Sequence, residues 1–154
     1  MIILGIDPGI AITGYGILSY ENDKISIVAS GSIQTSKNKS TPKRLVELFD
    51  DISEIIDTYK PDIASIEQLF YFKNLKTVIP VAQARGVITM ALAKKDVEIA
   101  EYTPLQVKQT ITGFGRATKE EVKQMTEFAL NEKMPKLDDT VDAIAIALCH
   151  IRHI

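Results

Sequence analysis

With 154 residues, 45% of them hydrophobic and 25% charged, the chain is long enough for one hydrophobic core and too short for two ordinary domains. A formal net charge of -2 removes the globally basic surface that marks many nucleic-acid binders, yet leaves room for a basic face beside acids neutralised by bound cations. The single cysteine, Cys149, excludes a disulfide within the chain and fits a reducing compartment and a buried position in the apolar stretch 143–149.

The N-terminus, Met-Ile-Ile-Leu-Gly-Ile-Asp, has no basic n-region and carries an acid at position 7. Neither a signal peptide nor a membrane span is expected, and the expected location is the cytoplasm. Residues 2–7 read as a buried strand stopped by the turn Asp7-Pro-Gly9, and residues 13–19 and 24–34 as two further strands of a meander. Pro42 suits a first helical turn, after which Leu45, Leu48, Phe49, Ile52, Ile55 and Ile56 recur at helical spacing as far as Tyr59. Lys60-Pro61-Asp62 ends that helix, and residues 63–67 form another short strand that finishes in an acid.

A second helix is expected over residues 73–95, with Pro80 and Gly86 as bends, and a fifth strand over 97–101. Thr103-Pro104 opens a short helix through Ile111, Gly113-Phe-Gly115 makes a loop, Thr118-Lys-Glu-Glu121 caps a helix, and residues 137–154 form the last one. Three meandering strands followed by alternating strands and helices predict an α/β fold, a single domain over 1–154 with a five-stranded mixed sheet flanked by helices.

Acids fall at telling places in this plan. Asp7 and Glu67 each end a short apolar strand, and they lie close together if those strands are parallel neighbours. Asp139 and Asp142 are three apart on a helix that continues as Ala143-Ile-Ala-Ile-Ala-Leu148, which places both on one face; Asp138 with Asp142 fits helical geometry as well. Acids in a first turn also serve the helix dipole, so spacing alone leaves the register open. Four carboxylates in one place repel unless something positive binds. Hard oxygen ligands select magnesium, with manganese as a substitute, and no His-Cys pattern points to zinc. Two such ions about 4 Å apart can activate a water and stabilise the leaving oxygen of a phosphoryl displacement.

At these residues the chain resembles the RuvC family of Holliday-junction resolvases, within the ribonuclease-H-like nucleases. The resemblance rests on Gly5-Ile-Asp-Pro-Gly9 with Thr13-Gly-Tyr-Gly16, Ile66-Glu-Gln68 with Phe70 and Lys73-Asn74, Gln83-Ala-Arg-Gly86, Gln106-Val-Lys-Gln-Thr110, and Asp139-x-x-Asp142-Ala143-Ile-Ala-Ile-Ala147. It implies a ribonuclease-H-like fold and a homodimer that makes paired, symmetric nicks across a four-way DNA junction. It puts Asp7, Glu67, Asp139 and Asp142 on the family's metal-ligand positions, where some members carry His at the third. It makes Lys108 and Lys119 the basic residues that meet the scissile phosphate, Phe70 the aromatic that stacks or wedges at an opened junction, and a RuvA-RuvB branch-migration complex the partner.

Further readings concern the surface. Phe70-Tyr-Phe72 cannot all face inward, and the segment leads into Lys73 and Lys76; Lys73, Lys76, Arg85 and Arg116 are backbone-contact candidates. The helix 73–95, through Ile79, Val87, Met90 and Ala91, is the expected dimer interface, although core packing explains those residues about as well. His150 and His153 suit the dipole at a helix end and carry no expected chemistry. Ending at Ile154 without a basic tail predicts weaker non-specific DNA affinity than in longer relatives. Three rivals remain: a related nuclease that trims structured ribosomal RNA, an ATPase of the actin and sugar-kinase kind suggested by the Asp-x-Gly turn, and a junction-binding module without catalysis.

Overall fold

A computed structural model describes residues 1–69 and 75–154. Five strands, β1 (Ile2–Asp7), β2 (Ile12–Glu21), β3 (Lys24–Gln34), β4 (Ile63–Glu67) and β5 (Glu98–Tyr102), form one sheet in the order β3-β2-β1-β4-β5. The first three are an antiparallel meander, and β1, β4 and β5 run parallel. The expected mixed sheet is therefore present, and β1 lies at its centre beside β4. β2 extends beyond the expected 13–19, and β5 begins one residue later than expected and takes in Tyr102.

Five helices cover the two faces: α1 (Thr41–Tyr59), α2 (Leu75–Lys94), α3 (Pro104–Thr112), α4 (Lys119–Leu130) and α5 (Asp138–Ile151). Lys60 closes α1 in the left-handed conformation, with Pro61 next to prevent continuation. Both α3 and α4 open on reciprocal capping boxes, Thr103 with Gln106 and Thr118 with Glu121; only the second was expected from sequence. α5 stops at Ile151, short of the expected 154.

α1 and α2 pack on one face of the sheet, where Leu48, Ile52, Ile88 and Leu92 meet Leu4, Ile6, Ile17 and Ile66. α5, flanked by α3 and α4, covers the other with Ile144, Ala145, Ala147 and Leu148 over Ile3, Leu18 and Ile63. Cys149 is fully buried there, as expected. His150 is buried too, its Nδ1 2.9 Å from the Tyr102 hydroxyl, and burial first and His153 next hold it below its usual pKa. The ring is a buried packing residue, with no chemistry assigned to it, as expected.

On α2, Ile79 and Met90 are exposed and Val87 half-buried, but Ala91 is fully buried beside Ile88 and Leu92. Ala91 consequently leaves the expected interface. No helix among the described residues is long and apolar enough to cross a membrane.

Candidate active site

Alternation along the central strands decides where the acids point. Ile3 and Ile63 lie in the core beneath α5, Gly5 and Ser65 come next on that side, and Asp7 and Glu67 complete the two rows. The observed pairing Gly5↔Ser65, carried one alternation further, sets the two acids side by side at the carboxyl ends of parallel strands.

Small residues decide how near α5 approaches. A Cβ on Gly5 would sit 2.0 Å from the carbonyl oxygen of Ala143, and one on Gly14 would sit 1.9 Å from that of Asp139. Gly14 pairs with Asp7 and Gly16 with Gly5, so a bed of glycines in β1 and β2 receives the first turns of α5. The Ser65 hydroxyl donates to the carbonyl of Ile146 at 2.9 Å and ties the helix to β4. These contacts bring the acids of α5 over the end of β1. The glycines were visible as a motif; their use as a docking bed was missed, although glycine inside a strand is itself the signal of close backbone approach.

The resulting cleft is lined by Asp7, Glu67 and Asp142, by Lys108 of α3 and Lys119 of α4, and by an apolar wall that includes Pro104, Val107, Val122 and Ile146. Lys119 Nζ donates to Asp142 Oδ2 at 2.8 Å. Burial, followed by the charges of Glu67, Asp142 and Asp139, pushes Asp7 up to about 8 against the pull of Lys119. Burial and then Asp142 raise Glu67 as well, opposed by Lys119 and Lys108. Lys119 is raised chiefly by its hydrogen bond to Asp142. The cleft is therefore short of positive charge, even with two lysines in it.

A divalent cation suits that deficit, since the converging donors are hard carboxylate oxygens. Among the described residues, no three Asp, Glu, His or Cys side chains are grouped so that they could hold a metal ion as they stand, and Asp142 is engaged by Lys119. The chemistry of the donors fits such an ion, while their present spacing does not yet form a ligand set.

The two neighbouring acids at the start of α5 differ in setting, although the charge of Asp138 also raises Lys119. Asp138 is exposed, whereas Asp139 is half-buried and acts on Asp7. Arg85 is less available than expected: it forms an ion pair with Glu101, and its Nε is buried without a hydrogen-bond partner. Arg85 instead lines a second groove with Gln68, Thr77 and Val81, which shares Glu67 and Pro104 with the cleft. Lys76 and Arg116 are exposed, outside the lining of the cleft. Phe70 and Lys73 lie outside the described residues.

Comparison with known proteins gives a consistent picture. The family model for crossover junction endodeoxyribonuclease RuvC matches residues 3–150. A protein of that description from Alkaliphilus metalliredigens is 52% identical over 151 residues, covering 97% of this chain and 92% of its own. Another from Fusobacterium nucleatum is 51% identical over 152 residues, covering 98% of this chain and 80% of its own. The structure of Thermus thermophilus RuvC in complex with a Holliday junction substrate superposes with a TM-score of 0.93 at 30% identity, covering 99% of this chain and 94% of that one. The fold is ribonuclease-H-like, as the resemblance implied.

Proposed function

This chain belongs to the RuvC family of crossover junction endodeoxyribonucleases, and from that footing we propose that its cleft cuts a strand of a four-way DNA junction, with Asp7, Glu67, Asp139 and Asp142 as the acidic machinery. The observation that carries this reading is the condition of Asp7. A carboxyl buried at a strand end and crowded by three other acids, in a cleft that also holds two lysines, is arranged for cationic chemistry on a phosphate.

Two divalent ions held by the four carboxylates, magnesium with manganese as a substitute, would supply a hydroxide nucleophile and stabilise the leaving oxygen of the phosphodiester. Asp7 and Glu67, fixed at the ends of paired strands, hold their oxygens in place with little freedom to lose. Lys119 reaches Asp142 from an exposed position, so its ammonium can also meet the scissile phosphate and offset charge as it develops. Lys108 offers the same from α3. Pro104, Val107 and Val122 exclude water from that side and strengthen these interactions.

A two-fold symmetric junction cut twice calls for two sites related by the same symmetry. Ile79 and Met90, exposed on α2 with Val87 partly so, offer an apolar face for a second copy of the chain. A cytoplasmic setting, one nuclease domain and a RuvA-RuvB branch-migration partner belong to the same reading. Strand-resolved mapping of nicks on a mobile four-way junction tests it, with magnesium, calcium or a chelator present. Paired symmetric nicks in magnesium and none in chelator are expected; equal cutting of linear duplex, or cutting in chelator, overturns the reading.

A further inference from the structure

Beside the cleft, the loop between α3 and α4 holds an aromatic side chain in solvent. Phe114 is 59% exposed and Leu105, at the start of α3, is 61% exposed. The loop returns along α3: a Cβ on Gly115 would meet Leu105 Cδ1 at 2.6 Å, so the Phe114-Gly115 segment lies against the first turn of that helix. Leu105 follows Pro104, which lines the cleft. An apolar ridge therefore flanks the site where Lys108 and Lys119 stand, and the exposed Arg116 follows it in the same loop.

The ridge is also held firmly. Gly113 closes α3 at φ 78°, with its N–H on the Gln109 carbonyl at 2.8 Å. The Phe114 N–H donates to Thr112 Oγ1 at 3.0 Å, and that hydroxyl lies 2.8 Å from the carbonyl of Lys108, which it can reach as donor. Ala117 is buried and donates to the Phe114 carbonyl at 3.1 Å, while Arg152 ties the end of α3 from below through the Thr110 carbonyl at 3.0 Å. The loop presents the ring outward and carries the exposed Arg116 two residues on.

We infer that Phe114, backed by Leu105 and with Arg116 on the neighbouring phosphate, is a stacking platform for an unpaired nucleotide of the DNA strand next to the scissile phosphate. Aromatic faces interleaved with cations are how single-stranded nucleic acid is held without base-specific hydrogen bonds, and an ordered ring loses little entropy on binding. Phe114 is thus a positioning residue, separate from the acids, and the inference rests on the junction-cutting function proposed above.

The test uses full-length protein and four-way junctions carrying 2-aminopurine at single positions within three nucleotides of the nick, bound in calcium. The wild type and F114Y are expected to quench one such position, and F114A to leave it bright. In magnesium, F114A is expected to raise KM for the junction about tenfold, with kcat changed less than about twofold, and F114Y to restore it. Equal quenching by F114A and wild type overturns the inference. So does a KM defect that F114Y fails to restore, because that marks a structural role of the loop. A change in oligomeric state of F114A without loss of quenching also overturns it and assigns the ridge to a second copy of the chain. If the wild type neither binds nor cuts the junction, the functional reading itself fails.

Discussion

The two faces of the sheet are built on different plans. Beneath α1 and α2, strands and helices meet through large aliphatic side chains, Leu4, Ile6, Ile17 and Ile66 against Leu48, Ile52, Ile88 and Leu92. Near the strand ends beneath α5 the strands offer Gly5, Gly14, Gly16 and Ser65, and the helix meets them with Ala143 and Ala147, the backbone of Asp139 and Ile146, and Ile144. The first face is thick at the height of the strand ends, and like the aliphatic part of the second it gains roughly 25 cal/mol per Å² of apolar surface buried. The second is thin, and its thinness is functional: only when backbone lies nearly on backbone do the acids at the start of α5 reach those at the strand ends. Both faces contribute to the core, since Ile144 and Leu148 also cover Ile3, Leu18 and Ile63, but only the α5 face assembles the site.

Replacing Asp7 by Asn should have the largest effect on that contrast. It preserves shape, so the fold should persist while cleavage of a four-way junction in magnesium falls by about 10²–10³-fold. Single-turnover cleavage measures it, and a near wild-type rate would show that the acids of the thin face are not the machinery.

Next, Gly14→Ala should push the start of α5 off β2, because its Cβ would lie 1.9 Å from the Asp139 carbonyl oxygen. A displacement of about 1 Å at reacting groups costs on the order of 10²-fold in rate. The expected result is a large loss of cleavage at saturating junction with a protein that still unfolds cooperatively.

Ile52→Ala probes the thick face in the opposite sense. It should cost about 2–5 kcal/mol of stability in urea unfolding and leave the cleavage rate of the folded protein essentially unchanged. A rate loss comparable to that of Gly14→Ala would show that the two faces are not separable.

The smallest expected effect concerns pH. Asp7 is raised in the folded chain from 3.8 to about 8, so between those values the folded state keeps a proton that the unfolded state has released. Stability from this group is present at acidic pH and declines as pH rises through that window. In chelator at pH 8, Asp7→Asn should therefore be more stable than wild type by roughly 1–3 kcal/mol. Added magnesium should stabilise the wild type and not the variant. Thermal unfolding with and without the metal checks both signs, and equal melting of the two proteins at pH 8 would contradict the crowding of the acids.

Much of this arrangement was legible in the residues. Short apolar runs ending in Asp7 and Glu67 announce strand-end acids, and the Thr118 capping box announces α4. The choice between Asp138 and Asp139 was not legible in spacing, since both fit helical spacing with Asp142; the family resemblance favours Asp139, which is half-buried where Asp138 is exposed. For Ala91 the sequence left interface and core packing equally open, and the structure puts it in the core for a related reason. α2 carries apolar residues on much of its circumference, and its buried stripe of Ala84, Ile88, Ala91 and Leu92 emerges only once β1 and β4 lie beneath it.

What the sequence determined by itself is local: where periodicity changes from strand to helix, where turns interrupt it, and which acids end which elements. What only the tertiary structure decided is relational. The parallel register of β1 and β4 puts Asp7 and Glu67 on one side, the glycine bed sets the depth of α5, and α4 delivers Lys119 to Asp142. The reason is physical: side-chain period is fixed by the backbone of each element, whereas register and docking depth depend on contacts between residues as far apart in sequence as Gly14 and Asp139.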